Sequence, residues 1–230
     1  RIITGTGARM EGENGRVTKI WAGDQCFTPS NVIWTAPITL ACRQLNLEVP
    51  DLSYLGLLLF NVMVKEEPRR DYQWCYYGSR DLLINRVSTP TFFSPDTSPP
   101  GTGGYCCEVT CMEGDNRWLH AERLTDWVID DLVKVGMIRS RSNVIDVRVE
   151  RLEESYPIYR KDYPEQLDIA RRQISKFSNL HLAGRTGLFW YNNMDHSMEN
   201  AMQLTKRLLR DSGQADAEEA AIAAGLPLGA

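Results

Sequence analysis

Residues 179–209 read NLHLAGRTGLFWYNNMDHSMENAMQLTKRLL, and this stretch decides how the rest of the chain is read. Asn179 to Ala183 alternates apolar and polar residues like a short strand, and Gly184-Arg185-Thr186-Gly187 breaks it. An aromatic run, Phe189-Trp190-Tyr191, leads to the Asn192-Asn193 turn. Beyond it Met194, Met198, Ala201, Met202, Thr205, Leu208 and Leu209 recur at helical spacing. Asp195 and Glu199 stand early in this helix, and Lys206, Arg207 and Arg210 late, the charge order that the helix dipole favours. A helix start approached through glycine suits an anion or a polarised carbonyl. An ordinary strand–loop–helix connection has the same pattern.

Composition narrows the class. The 230 residues are 43% apolar and 24% charged, with a formal net charge of −4. That profile fits a soluble globular chain of one large or two small domains. It lacks the basic excess of a dedicated nucleic-acid binder. The longest apolar run, Tyr54 to Val64, is too short to cross a bilayer and reads as a buried strand. Cys106, Cys107 and Cys111 lack the spacing of zinc ligands, so no metal is expected. On a strand Cys107 and Cys111 share a face and Cys106 takes the other. Reduced, largely buried thiols in a cytoplasmic protein follow.

Taken in order, residues 1–27 read as a β meander. Arg1-Ile2-Ile3-Thr4 leads in, Asn14-Gly15 turns it, and Gly23-Asp24 turns it again. With neither a start methionine nor a signal peptide, this beginning is expected to lie inside a longer protein. Gly5-Thr6-Gly7 is not a dinucleotide loop, because turn residues follow where a helix is required. Asn31 to Ala36 is an apolar strand running into Pro37, and Ile38, Ala41, Cys42 and Leu45 continue at helical spacing. Strands are expected at 54–64, 72–77, 82–88, 104–112 and 144–152, and a loop at 89–104. Helices are expected over 124–135, closed by Gly136, and over 163–177. Ala215 to Ala224 is a helix or a frayed tail.

Other constellations carry less. Asp195-His196-Ser197 has three triad residue types, but helix neighbours point apart and cannot form a relay. The acidic pairs Asp130-Asp131 and Glu153-Glu154 read as solvated faces. Trp74, Tyr76, Tyr77, Phe92 and Phe93 read as core packing, with a flat ligand wall as the alternative.

Leu182-Ala183-Gly184-Arg185, Gly187, Phe189, Tyr191 and Asn193-Met194-Asp195-His196-Ser197 together resemble the C-terminal flavin-binding segment of the protoporphyrinogen oxidase and flavin amine oxidase superfamily. The branch most like it is that of UDP-galactopyranose mutase. Thr35-Ala36-Pro37 resembles the crossing between flavin and substrate domains, and Tyr156-Pro157-Ile158-Tyr159 the segment before the final flavin motif. The resemblance implies FAD, with Gly184 and Arg185 near its pyrophosphate or ribityl chain. Met194, Asp195 and His196 would lie at the pyrimidine edge of its ring. Thr35, Pro37, Tyr191 and Asn193 join the implied cofactor contacts, and Arg86, Tyr159 and Trp190 the implied substrate contacts. No catalytic residue is assigned.

The family's N-terminal βαβ unit, with its glycine-rich loop, has no counterpart in this sequence. A C-terminal piece is therefore expected, inactive alone and unable to hold FAD tightly, with the N-terminal half as its partner. The expected fold is α+β: a mixed, largely antiparallel sheet flanked by helices, the substrate domain, plus a C-terminal strand–loop–helix of the FAD domain. Expected boundaries are 1–36 for the meander and crossover strand, 37–155 for the substrate domain, 156–212 for the flavin segment and 213–230 for a tail. The expected activity is an FAD-dependent oxidoreductase of a small molecule. A flavin-dependent mutase of a nucleotide sugar and a non-catalytic binding module are the alternatives, and a homo-oligomer is compatible with each.

Overall fold

The computed structural model describes residues 1–212, so the alanine-rich stretch 215–224 lies outside the described residues. The strands are β1 (Ala8–Glu13), β2 (Arg16–Ala22), β3 (Gln25–Phe27), β4 (Val32–Trp34), β5 (Tyr54–Val64), β6 (Trp74–Tyr76), β7 (Arg86–Ser88), β8 (Gly103–Cys111), β9 (Val144–Pro157) and β10 (Leu180–Leu182). The helices are α1 (Ile38–Gln44), α2 (Asn116–Leu119), α3 (Thr125–Lys134), α4 (Tyr163–Ile174), α5 (Gly184–Gly187) and α6 (Met194–Asp211). The α+β class is as expected. Two units divide the chain, one of residues 1–52 and 159 onward, the other Ser53–Ile158. The division thus follows α1 instead of preceding it.

In the first unit β1, β2 and β3 form an antiparallel meander. Asn14 and Gly15 both have positive φ, +50° and +71°, the pairing that a two-residue turn needs to match strand twist. Arg1 to Thr4 is irregular, and Ile2 is 91% exposed; with no strand beside it, its apolar character is not enough to extend it. The meander is tied to the C-terminal part of the chain by Asn179, which is buried. Its Oδ1 accepts the Val17 N–H at 2.8 Å, and its Nδ2 donates to the Val17 carbonyl at 3.0 Å. The Asn179 carbonyl accepts the Val32 N–H at 2.7 Å.

That last bond opens the parallel pairing of β10 with β4, which matches Leu180 to Val32, His181 to Ile33 and Leu182 to Trp34. Pro37 then starts α1, whose Ile38, Ala41 and Cys42 are buried as the periodicity predicts. Leu167, Ala170 and Ile174 do the same for α4.

The second unit is a sheet of order β6-β7-β8-β5-β9, with every pairing antiparallel. One face is the core. Leu58, Phe60, Val62 and Val64 alternate along β5, Cys107 and Val109 along β8, and Val128, Ile129 and Leu132 of α3 cover them. Cys106 faces the other way, as strand parity requires. β9 runs on to Pro157 instead of ending at Leu152, carried by pairings of Tyr156 with Leu55 and Pro157 with Tyr54.

Two expectations fail here for one reason. Residues 82–85 are not strand, and Asp131 is not solvated. Asp131 is buried, and its Oδ2 accepts the N–H groups of Leu83 at 2.6 Å and Ile84 at 3.1 Å. The carboxylate replaces a neighbouring strand as acceptor, so β7 begins only at Arg86. Its neighbour Asp130 stays at the surface, paired with Arg141 at 2.5 Å.

Removing an acceptor that serves two amides strands both. Asp131→Ala is therefore expected to destabilise the second unit by about 2 kcal/mol, whereas Asp130→Ala leaves the urea midpoint within error. Equal midpoints for the two variants would contradict this. Thiol labelling tests the burial pattern. Burial pushes the Cys42 thiol up to about 11 and that of Cys107 well above its ordinary value. Native iodoacetamide labelling at neutral pH should modify exposed Cys26 and spare Cys42, Cys107 and Cys111 until denaturant is added. Early labelling of Cys107 would contradict the sheet's orientation.

Candidate functional site

The carboxyl ends of β4 and β10 lie side by side, so the two places where a helix starts at a strand end converge in the first unit. In open parallel sheets this edge is where ligands bind. Thr35 to Pro37 leaves one strand and Gly184 to Gly187 leaves the other. They interlock: the Ala183 N–H donates to the Trp34 carbonyl at 2.9 Å, and Thr186 Oγ1 to the Thr35 carbonyl at 2.8 Å. Gly184 has φ +71°, and a Cβ on Gly187 would stand 2.6 Å from the Trp34 carbonyl oxygen. Both glycines are thus required by the chain's own geometry.

From here the loop to α6 is fixed at successive points. Arg185 reaches across it, its Nη2 donating to the Asn192 carbonyl at 2.5 Å and its guanidinium 4.7 Å from the Tyr191 ring centroid. The Tyr191 N–H donates to Tyr159 Oη at 2.6 Å. Phe189, buried against Tyr159 and Tyr163, holds φ +51°. A left-handed aromatic residue costs on the order of 1–3 kcal/mol and persists only where its surroundings impose it. Trp190 and Tyr191 project from the loop, and the Trp190 ring lies 5.3 Å from His196.

α6 begins with a reciprocal cap between Asn193 and His196, in which the Asn193 N–H donates to His196 Nδ1 at 3.3 Å. Its leading amides, Met194 and Asp195, have no acceptor within the helix. Beside them lies Asn192, 3% exposed. Its Oδ1 accepts from Ser197 Oγ at 3.3 Å, while its Nδ2 is buried without a hydrogen-bond partner. A buried amide donor left unmade is costly. Asn192 was not among the residues singled out from sequence; only burial distinguishes it from Asn193.

Of the sequence candidates, the first unit gathers Thr35, Pro37, Gly184, Arg185, Tyr191, Asn193, Met194, Asp195 and His196, with Tyr159 and Trp190. Arg185 and Tyr159 shape the loop. The apolar stripe of α6 is the exception to its expected packing. Met194, Met198 and Met202 are 78%, 56% and 62% exposed, and Leu204 is the buried residue of the helix. The helix rests on the flank of its stripe and presents the stripe outward.

Arg86 lies in the second unit, on the face of the sheet opposite the core. Cross-strand register sets Tyr76, Arg86, Glu108, Leu59 and Glu150 in one row, and Trp74, Ser88, Cys106, Asn61 and Arg148 in the next. Arg86 is ion-paired with buried Glu108, which also accepts from Tyr156 Oη at 3.4 Å. Its guanidinium sits 5.7 Å from the Tyr76 ring centroid, and its Nη1 donates to Tyr76 Oη at 3.4 Å. Trp74 stacks on Phe93 at 5.9 Å with an 11° interplanar angle. Core packing was the sequence expectation for these aromatics. Instead Trp74, Tyr76 and Phe93 are exposed, the first two on the edge strand β6, and of these aromatics Tyr77 packs against the core.

No protein-family profile and no curated protein sequence matches this chain. Solved structures do. Reduced UDP-galactopyranose mutase is similar at a TM-score of 0.74 and 16% identity, covering 89% of this chain and 46% of that one. A putative protoporphyrinogen oxidase from Exiguobacterium sp. 255-15 gives 0.63 and 15%, covering 88% and 46%. Putrescine oxidase bound to putrescine gives 0.54 and 11%, covering 89% and 48%. The chain therefore has the fold shared by these proteins, over less than half the length of each.

Proposed function

We propose that this chain is the substrate-side and flavin-ring half of an FAD-dependent oxidoreductase. The observation that carries the reading is the buried, unpartnered Asn192 Nδ2 beside the open amides of α6. Both are donors that suit the carbonyl-rich pyrimidine edge of a flavin. When bound, FAD supplies the redox chemistry. Asn192, Met194 and Asp195 offer donors to the ring, and Arg185 holds the loop in place through the Asn192 carbonyl. The second unit supplies the substrate wall.

The partner that this reading requires is an α/β unit with parallel strands. Among the described residues β4 and β10 form a parallel pair with no further strand beside them. Parallel sheets of so few strands do not stand alone in water. The outward methionines of α6 and Ile33, 55% exposed, offer apolar surface for such a unit to cover. The TM-score of 0.74 to UDP-galactopyranose mutase favours a second reading, a flavin-dependent mutase of a nucleotide sugar.

Flavin content tests the proposal. The intact parent should purify with bound FAD, and this chain alone without stoichiometric FAD. In the parent, Asn192→Leu and Arg185→Ala should each weaken FAD affinity about tenfold, the ~1.4 kcal/mol of one hydrogen bond, with circular dichroism unchanged. Unaltered flavin affinity in both folded variants, or a parent without flavin, would overturn the assignment and favour a non-catalytic binding module.

A further inference from the structure

Among the described residues the five-stranded sheet ends on one side at β9, and the direction of its backbone groups follows from β7 across the ladder. The Asn85 N–H donates to the Glu108 carbonyl at 2.8 Å, and the Thr110 N–H to Asn85 Oδ1 at 2.8 Å. Cys106, Glu108 and Thr110 of β8 therefore aim their backbone groups at β7, and Tyr105, Cys107 and Val109 aim theirs at β5. The residues of β5 opposite these last three are Val62, Phe60 and Leu58. Leu59, Asn61 and Met63 then turn to β9, where they meet Glu150, Arg148 and Asp146. Along β9 this leaves the N–H and C=O groups of Ile145, Val147, Val149 and Arg151 pointing away from the sheet. One bond agrees with that direction. The Val147 N–H is taken by Asp146 Oδ1 at 2.9 Å, a carboxylate standing in for a strand.

Such an edge is a template for another strand unless its side chains forbid it. β9 is 14 residues long, with no lysine and no proline before Pro157. Its charges alternate in sign along one face, Asp146, Arg148 and Glu150. Arg148 and Glu150 are both exposed. The contact of Arg148 with Asp146 is a loose 3.5 Å, and Glu150 has no ion pair among the described residues.

This pattern is complementary to itself. In two antiparallel copies of β9 related by a two-fold axis at Val149, Val149 faces its own counterpart and Arg148 faces Glu150 on both sides of the axis. The outward groups of Val147 then meet the outward groups of Arg151, so backbone donors and acceptors match along the ladder. Arg148 and Glu150 fall at the non-hydrogen-bonded positions, where opposite side chains approach most closely. An axis at Val147 would run the pairing past the strand's start at Val144. An axis at Arg151 would bring in Glu154, whose φ of +50° breaks the regularity of the strand.

We infer that β9 is a self-association edge that joins two copies of this chain into one continuous antiparallel sheet. The inference rests on neither flavin nor substrate. One strand pair buries less than a standard interface, so the dimer is reversible, with a Kd on the order of micromolar or weaker.

The test uses the intact parent, in which a strand from the rest of the protein is the rival occupant of this edge. Sedimentation velocity over a range of concentrations should show a monomer–dimer equilibrium. Arg148→Glu alone and Glu150→Arg alone each set like charges opposite one another, and each should weaken dimerisation at least about tenfold. Mixing the two variants puts opposite charges back across the axis, so the mixed dimer should form as tightly as the unaltered one. Val149→Pro removes an outward N–H without touching the bonds to β5, and should give a monomer with circular dichroism retained. A parent that stays monomeric at every concentration would overturn the inference and favour the rival strand. A dimer indifferent to both charge reversals, or variants that fail to associate on mixing, would also overturn it.

Discussion

The pairing of β10 with β4 is the constraint on which the candidate site depends. It joins segments far apart in the chain, and the buried amide of Asn179 fixes it by bonding both backbone groups of Val17 while passing its own carbonyl to Val32. Once Leu180 stands opposite Val32, Trp34 and Leu182 end level with each other. The Thr35–Pro37 exit and the Gly184–Gly187 turn must then meet. Gly187 can lie against the Trp34 carbonyl only because it lacks a Cβ. Everything after it, from the left-handed Phe189 to the start of α6, is aimed by that meeting.

The aiming is built from contacts that do nothing else. Arg185 spends its guanidinium on the Asn192 carbonyl and the Tyr191 ring, and the Tyr159 hydroxyl serves the Tyr191 amide. Such bonds hold the loop before any ligand arrives, so little ordering cost falls on binding. In this loop Asn192 Nδ2 is a buried donor left without a partner. In the second unit Glu108 ion-pairs with Arg86, beside the exposed rings of Trp74 and Tyr76.

Local signals made much of this legible in the sequence. Asn14-Gly15 announces its turn, Pro37 and Gly136 mark a helix start and a helix end, and alternation along Tyr54 to Val64 marks the central strand. These depend on near neighbours. What the sequence could not resolve is which of two similar residues is buried. Asp130 and Asp131 differ only in that one meets the Leu83–Ile84 amides, and Asn192 and Asn193 only in that one is enclosed. Periodicity likewise revealed a stripe on α6 without revealing what it faces, and alternation in β6 without showing that its outer row is open. Those answers come from long-range packing. The flavin of the proposal entered only through a resemblance, and the fold is shared with reduced UDP-galactopyranose mutase.

The most direct test of the account is hydrogen–deuterium exchange on the intact parent, with and without FAD. The loop and the first turn of α6, residues 188–198, should exchange more slowly when FAD is bound, because the Met194 and Asp195 amides gain acceptors. Bound FAD with unchanged exchange across that peptide would contradict the assignment of this loop and helix as the flavin seat.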